Sequence, residues 1–363
     1  MNKILFFLQV PPPIHGSSMV GLFIKESKII NKKFNSSFIN LGTSKTVDEI
    51  GRKPIKKVKV YISILFKAFK ALILNRPDLV YIAITAKGIG FYKDAIIVLL
   101  SKFFGVSIVL HFHNKGVILK QNNFFDDFLY KIVFKNAKVI LLSNLLYHDI
   151  KKYVNEEDAY YCPNGIPAVE YEKSNKNANQ TPELLFLSNL IESKGVFVLL
   201  EALQILNKKK IKFHCNFAGG EADISSQQLK QKISELNLED LVTYHGKQFG
   251  KNKYKLFNRS DIFVFPTFYH NECFPLVILE AMMHSLPIIS SYEGAIAEII
   301  DDNKTGYLIK KQDSNDLANK IQQLIENPCL RKSMGRKGKE KFEREYTLFH
   351  FEQNMTEVLT KIS

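Results

Sequence analysis

The chain has 363 residues, 46% hydrophobic and 24% charged, enough for two cores of ordinary domain size and too many for one. Its four cysteines, Cys162, Cys215, Cys273 and Cys329, lie far apart with no Cys-x-x-Cys or Cys/His spacing, which argues against a disulfide framework or a zinc site and for a reducing compartment. The net charge of +14 is lopsided: residues 1–166 hold 24 Lys+Arg against 11 Asp+Glu, whereas residues 167–363 hold 26 against 25. An excess confined to one half suggests an anionic partner there: nucleic acid, an acidic substrate or an anionic membrane leaflet. The plain alternative is a lysine-rich, solvated surface.

In chain order, the opening MNKILFFLQVPPP is a short apolar run stopped by prolines, which reads as a first strand and not as a signal peptide. No run reaches the ~20 apolar residues of a membrane span. A cytoplasmic protein is therefore expected, soluble or peripheral on the inner face of the membrane. Further apolar runs predict strands at 79–84, 107–113, 138–142 and 159–162, then at 184–188, 213–218, 242–244, 262–265, 287–290 and 306–309. Near-continuous apolar strands separated by helix-like segments are the pattern of a parallel sheet covered on both faces. PNGIP at 163–167 precedes a polar stretch that reads as a linker over 167–183. The expected architecture is α/β: two doubly wound, Rossmann-like domains at 1–166 and 184–345, with a tail over 346–363. In such sheets ligands bind beyond the carboxyl ends of the strands. The loops that follow each domain's first strand, 11–21 and 189–195, would then border one cleft if the domains face each other.

The segment DIFVFPTFYHNECFPLVILEAM, residues 261–282, carries the most chemistry. A buried strand breaks at Pro266 and Thr267, and a helix is expected from Pro275, since proline suits a first helical turn. The amides of Leu276 and Val277 would then offer a phosphate seat. Glu272 just before the helix and Glu280 inside it would repel a phosphate, so hydroxyls on either side of it are the better use. Residues 52–76, RKPIKKVKVYISILFKAFKALILNR, interleave lysines with apolar positions at helical spacing. Such a helix fits an anionic membrane surface or an ordinary domain helix facing its sheet. There is no G-x-G-x-x-G after the first strand and no G-x-x-x-x-G-K-[ST], so dinucleotide and P-loop readings lack their motif.

ECFPLVILEAM resembles the E-x7-E signature of retaining glycosyltransferases of the GT-B fold, family 4. PNGI at 163–166, SNLIESKG at 188–195, FAGG at 217–220, EGAIAE at 293–298 and NKTGYLI at 303–309 match in order, so the resemblance covers essentially the whole chain. It implies two domains facing across a cleft, a nucleotide-sugar donor (UDP- or GDP-linked) held by the second, and a glycan or lipid-linked acceptor met mainly by the first. Glu272 would contact the transferred sugar, Glu280 the donor ribose, and Lys194 the phosphates. Cys273, Phe274, Pro275 and Leu276 would line the donor between the two glutamates. His113 at a strand end would sit near the donor sugar, with His111 as its competitor. The loop with His15, Gly16, Ser17 and Ser18 resembles the family's acceptor and phosphate loop, in which Gly16 and Ser17 would approach the diphosphate. The tail would be a helix crossing back to the first domain.

Two departures stand out. Ser188-Asn189 replaces a common Gly-Arg, so Asn189 offers a hydrogen bond where relatives offer a cation. Pro275 replaces a frequent glycine and removes an N–H. With no Asp-x-Asp in the chain, no metal and no other cofactor is expected. The function implied is sugar transfer in bacterial cell-surface polysaccharide synthesis, with an anionic membrane as a further partner of the first domain and no nucleic acid. The alternatives are another GT-B reaction, epimerisation or phosphorolysis, and a basic membrane- or polyanion-binding protein.

Overall fold

The structure is a computed structural model that describes residues 1–42, 54–169 and 181–363, and side chains from residue 57 onward in the helix beginning at Pro54. Much of the expected linker and the start of the basic stretch lie outside the described residues, as does the Lys56 side chain. The chain divides into two compact units, Met1–Gly165 with Leu348–Ser363, and Ile166–Thr347.

In the first unit the strands are β1 (Lys3–Leu8), β2 (Asn35–Asn40), β3 (Leu79–Ile84), β4 (Ser107–Phe112), β5 (Ala137–Leu141) and β6 (Ala159–Tyr161). Its helices are α1 (Gly16–Glu26), α2 (Lys28–Lys33), α3 (Pro54–Asn75), α4 (Gly88–Phe103) and α5 (Phe124–Phe134). The second unit has β7 (Glu183–Leu187), β8 (His214–Ala218), β9 (Val242–Tyr244), β10 (Ile262–Phe265), β11 (Ile288–Ser291) and β12 (Gly306–Ile309). Its helices are α6 (Val196–Lys208), α7 (Ser226–Glu235), α8 (Gly250–Arg259), α9 (Leu276–Met283), α10 (Ile296–Ile299), α11 (Ser314–Glu326) and α12 (Pro328–Glu345). The tail forms α13 (Leu348–Ile362), which packs on α2 within the first unit.

All pairings within the two sheets are parallel, in the orders β2-β1-β3-β4-β5-β6 and β12-β11-β10-β7-β8-β9. Every residue of β3 and β10 is buried, as strands covered on both faces require. β2, NSSFIN, is the one strand that the apolar runs do not announce. It pairs only with β1 at the sheet edge, where Phe38 stacking on Phe6 at 5.2 Å and buried Ile39 are its main apolar anchors. Strand order reverses between β1 and β3, and again between β7 and β10. Loops leaving the two strands at such a reversal diverge and open a crevice at their carboxyl ends. Right-handed crossovers place α3, α4 and α5 together on one face of the first sheet and α1 and α2 on the other.

Candidate active site

In the second unit the crevice at the β7/β10 reversal is walled by the loops after β7 and β10. The first is bent by Gly195, whose φ of 87° suits a residue without Cβ, and a Cβ there would stand 2.3 Å from the Pro266 carbonyl oxygen. The two loops are tied directly: the Phe268 amide donates to the Ser193 carbonyl at 2.7 Å, and the Thr267 hydroxyl to the same oxygen at 3.3 Å. The Leu190 amide donates to Gly220 at 2.7 Å, which brings the loop after β8 alongside. Lys194 and Asn189 are therefore held by a frame of main-chain hydrogen bonds.

Within that frame Lys194 forms a salt bridge with Glu272, both side chains largely buried at 13% and 11% exposure. The Lys194 ammonium also lies 4.4 Å from the centre of the Tyr269 ring, a cation–π contact. The loop bearing Glu272 is braced from behind by residues 293–295. The Ala295 amide donates to the Cys273 carbonyl at 2.7 Å. Gly294, at φ 56°, passes so close that a Cβ would stand 2.4 Å from the Glu272 carbonyl oxygen and 2.7 Å from that of Cys273. Glu293, beside it, is paired with Lys311 at 2.7 Å.

Helix α9 begins at Leu276 with Pro275 as its N-cap, so the proline stands one position outside the first helical turn expected from sequence. Its ring offers no cap, and the amides of Leu276 and Val277 at the helix start suit an outside acceptor. Glu280 lies one turn further in and bonds the Lys253 ammonium of α8 at 2.5 Å. Burial pushes the Glu280 carboxyl above its ordinary range, and the charge of Lys253 pulls the other way. Cys273 and Phe274 turn their side chains inward, Phe274 edge-on to Tyr346 at 5.7 Å, so what they can offer a ligand is backbone. Asn189 is exposed, its side-chain oxygen 3.4 Å from the Gly220 amide. The stem of Lys247 reaches the same spot: a Cβ on Gly220 would meet Asn189 Oδ1 at 3.4 Å and Lys247 Cδ at 3.5 Å.

In the first unit the β1/β3 reversal gathers a different set. His15 caps α1, its Nδ1 accepting from the Ser18 amide at 3.3 Å and lying 3.0 Å from the Ser17 hydroxyl. Gly16 opens α1, and a Cβ there would meet nothing within 4 Å, which leaves its backbone approachable. His113 follows β4 and lies on His111, ring centres 4.1 Å apart. His111 is fully buried, with its Nδ1 hydrogen-bonded to the Tyr81 hydroxyl. Nδ1 of His113 is buried and has no hydrogen-bond partner. Burial holds the His113 pKa down at about 4, with His15 adding to the depression, so the ring is neutral at physiological pH. The loop beyond it is fixed by Asp149, which accepts from the amides of Gly116, Val117 and Ile118 at 2.8, 3.1 and 3.1 Å.

The structure thus joins Lys194 with Glu272 and sets Glu280 behind the same helix start, while His113, Gly16 and Ser17 belong to the first unit. Sequence reasoning passed over Tyr269, Lys253, Gly294 and Lys247. Tyr269 lay unremarked inside the 261–282 segment and Gly294 inside EGAIAE, whereas Lys253 and Lys247 fell in none of the strings named above.

A neutralised glutamate pair around an open helix start, at a switch point of a parallel sheet, defines a site for an anionic ligand rich in hydroxyls. Residues 168–341, nearly all of the second unit, match the family described as "Glycosyl transferases group 1". An uncharacterised glycosyltransferase of Methanocaldococcus jannaschii is 25% identical over 257 residues, 69% of this chain and 68% of that protein. The capsular polysaccharide biosynthesis glycosyltransferase CapM of Staphylococcus aureus is 24% identical over 48% of this chain and 45% of its own length. Over 99% of both chains the fold superposes on that of Anabaena HepE, solved in complex with UDP-glucose, with a TM-score of 0.73 at 19% identity. The fold is GT-B, two parallel six-stranded α/β units.

Proposed function

We propose that the chain is a retaining, metal-independent glycosyltransferase that moves a sugar from a UDP- or GDP-linked donor to a glycan or lipid-linked acceptor in bacterial cell-surface polysaccharide synthesis. The observation that carries this is the pairing of Glu272 with Lys194 beside the α9 start, with Glu280 and Lys253 behind it. CapM, named for capsular polysaccharide biosynthesis, and HepE, solved with UDP-glucose, support the substrate class. The lack of Asp-x-Asp supports metal independence. Among the described residues no helix is long and apolar enough to cross a membrane, compatible with work at the cytoplasmic side.

The ion pair suggests the sequence of events. Without donor, Glu272 and Lys194 neutralise each other. A diphosphate seated on the Leu276 and Val277 amides draws Lys194 to itself, and Glu272 then accepts hydrogen bonds from sugar hydroxyls. Glu280 accepts from the ribose. As the bond from the anomeric carbon to the diphosphate oxygen breaks, its electron pair stays on that oxygen, where Lys194 stabilises it. The acceptor oxygen bonds to the carbon from the same face and its proton passes to the departing phosphate. Lys247, beside Asn189 and Gly220, supplies the cation that Asn189 lacks. In the first unit we assign Gly16, Ser17 and His113 to donor and acceptor recognition, His113 as a neutral hydrogen-bonding group.

A thermal-shift panel of UDP-, GDP- and ADP-sugars tests the donor class, because a ligand of the native state raises stability. One nucleotide class should raise Tm, with nucleoside diphosphate released only when acceptor is present. No shift with any of them would overturn the proposal, and release without acceptor would favour another reaction type. Activity should persist in excess chelator; a loss that magnesium restores would refute metal independence.

A further inference from the structure

Helix α3 resolves the two uses open to a basic amphipathic helix by showing both at once. One stripe, Ile64, Ala68 and Leu72, is buried against the domain. A second stripe points away from it, with Phe66 at 70% and Phe69 at 45% exposure. The same doubling continues on the neighbours. On α4, Ile96 and Phe103 are 46% and 83% exposed, and on α5, Phe124 and Phe128 are 90% and 55% exposed. The three helices form one layer, joined by Tyr61 donating to the Lys93 carbonyl, by Phe69 against Phe104 at 5.7 Å, and by Tyr92 against Phe125 at 5.7 Å. An exposed apolar area spread over three adjacent helices is unusual for a surface that meets only water.

The charges on this layer have one sign outward. Helix α3 contains lysines and no acid, with Lys67 and Lys70 exposed beside Phe66 and Phe69. The acids of α4 and α5 are turned in or neutralised: Asp94 and Asp126 are buried, and Asp127 is paired with Lys131 at 2.7 Å and Lys152 at 2.6 Å. A second copy docking here by a two-fold axis would set these lysines against their own kind. A nucleic acid would satisfy the lysines and leave the phenylalanines in water. An anionic bilayer surface satisfies both.

We propose that the outer face of α3, α4 and α5 seats the first unit on an anionic lipid surface, with the aromatic side chains in the headgroup–acyl boundary and the lysines against the phosphates. This rests on the proposed function only in favouring a lipid-linked acceptor. The surface is tested without catalysis, so the two can fail separately.

The experiment is co-sedimentation of the full chain with vesicles of phosphatidylcholine containing phosphatidylglycerol, and with phosphatidylcholine alone. Wild type should pellet with the anionic vesicles and far less with the neutral ones. The triple variant Phe66→Ser, Phe103→Ser, Phe124→Ser and the double variant Lys67→Glu, Lys70→Glu should each bind about tenfold or more weakly. The residual binding of the triple variant should be the more salt-sensitive. All changed side chains are exposed, and an unaltered thermal melt in solution checks that the variants fold. Wild type left in the supernatant, or variants that pellet like wild type, would overturn the proposal. So would a wild-type dimer in vesicle-free gel filtration that the same variants dissociate, or tighter retention on single-stranded DNA than on anionic vesicles.

Discussion

The two units share one architecture, a parallel six-stranded α/β sheet with one reversal of strand order, and treat their surfaces in opposite ways. In the second, acids and cations are matched across loops: Glu272 with Lys194, Glu280 with Lys253, Glu293 with Lys311. Large apolar side chains exposed among its described residues are only Val169, Phe249 and Tyr292. The first unit keeps its site polar groups neutral, as in the His111–His113 pair, and carries exposed lysines, Lys67 and Lys70, with exposed phenylalanines on its outer helices. The second unit is therefore built to meet a charged ligand inside a rigid frame, the first to meet a surface. A common architecture fixes where sites lie, at the two reversals of strand order; local residue choice decides what each accepts.

The largest expected effect comes from breaking the frame of the second unit. Gly294→Ala forces a Cβ into the Glu272 and Cys273 carbonyls at a left-handed φ, and should cost about 2–3 kcal/mol of stability and more than ~10²-fold in turnover. Chemical denaturation and initial rates check both. Gly16→Ala in the first unit meets open space and should leave stability within ~1 kcal/mol. Next, Lys194→Ala should lower turnover by about 10²–10³-fold, the usual size of a lost transition-state donor. Lys247→Ala should weaken nucleoside diphosphate binding by about tenfold in calorimetry, since it removes one exposed charge contact. An unchanged affinity would return the missing cation to an unsolved place.

The smallest effect belongs to the first unit and to pH. His111 and His113 are held neutral in the fold, His113 with a pKa of about 4, against an ordinary value of 6.5. Between those values the unfolded chain binds more protons than the native one, so stability should be full above pH ~6.5 and fall as pH drops towards 4. His113→Gln should flatten part of that slope in a pH series of thermal melts. An identical slope would mean that His113 does not titrate as described.

Much of the fold was legible because buried parallel strands leave continuous apolar runs; β10 and β3 are visible in this way. β2 was not, since an edge strand buries little and NSSFIN carries just two large apolar residues. At the site, Glu272, Glu280 and Lys194 stood out through a familiar spacing. Their partners did not, because Lys194 and Glu272 lie 78 residues apart and Lys253 and Glu280 lie 27 apart, and only loop packing brings them together. For α3, periodicity showed an amphipathic helix without revealing that it has two apolar stripes, since which one faces the sheet depends on how α4 packs.

Acceptor-dependent release of nucleoside diphosphate by wild type and Glu272→Ala tests the central claim most directly, with nucleotide binding measured alongside. Transfer should fall nearly to background in the variant while nucleoside diphosphate still binds to it through the α9 start and Lys194. Near-normal turnover by Glu272→Ala would contradict the account.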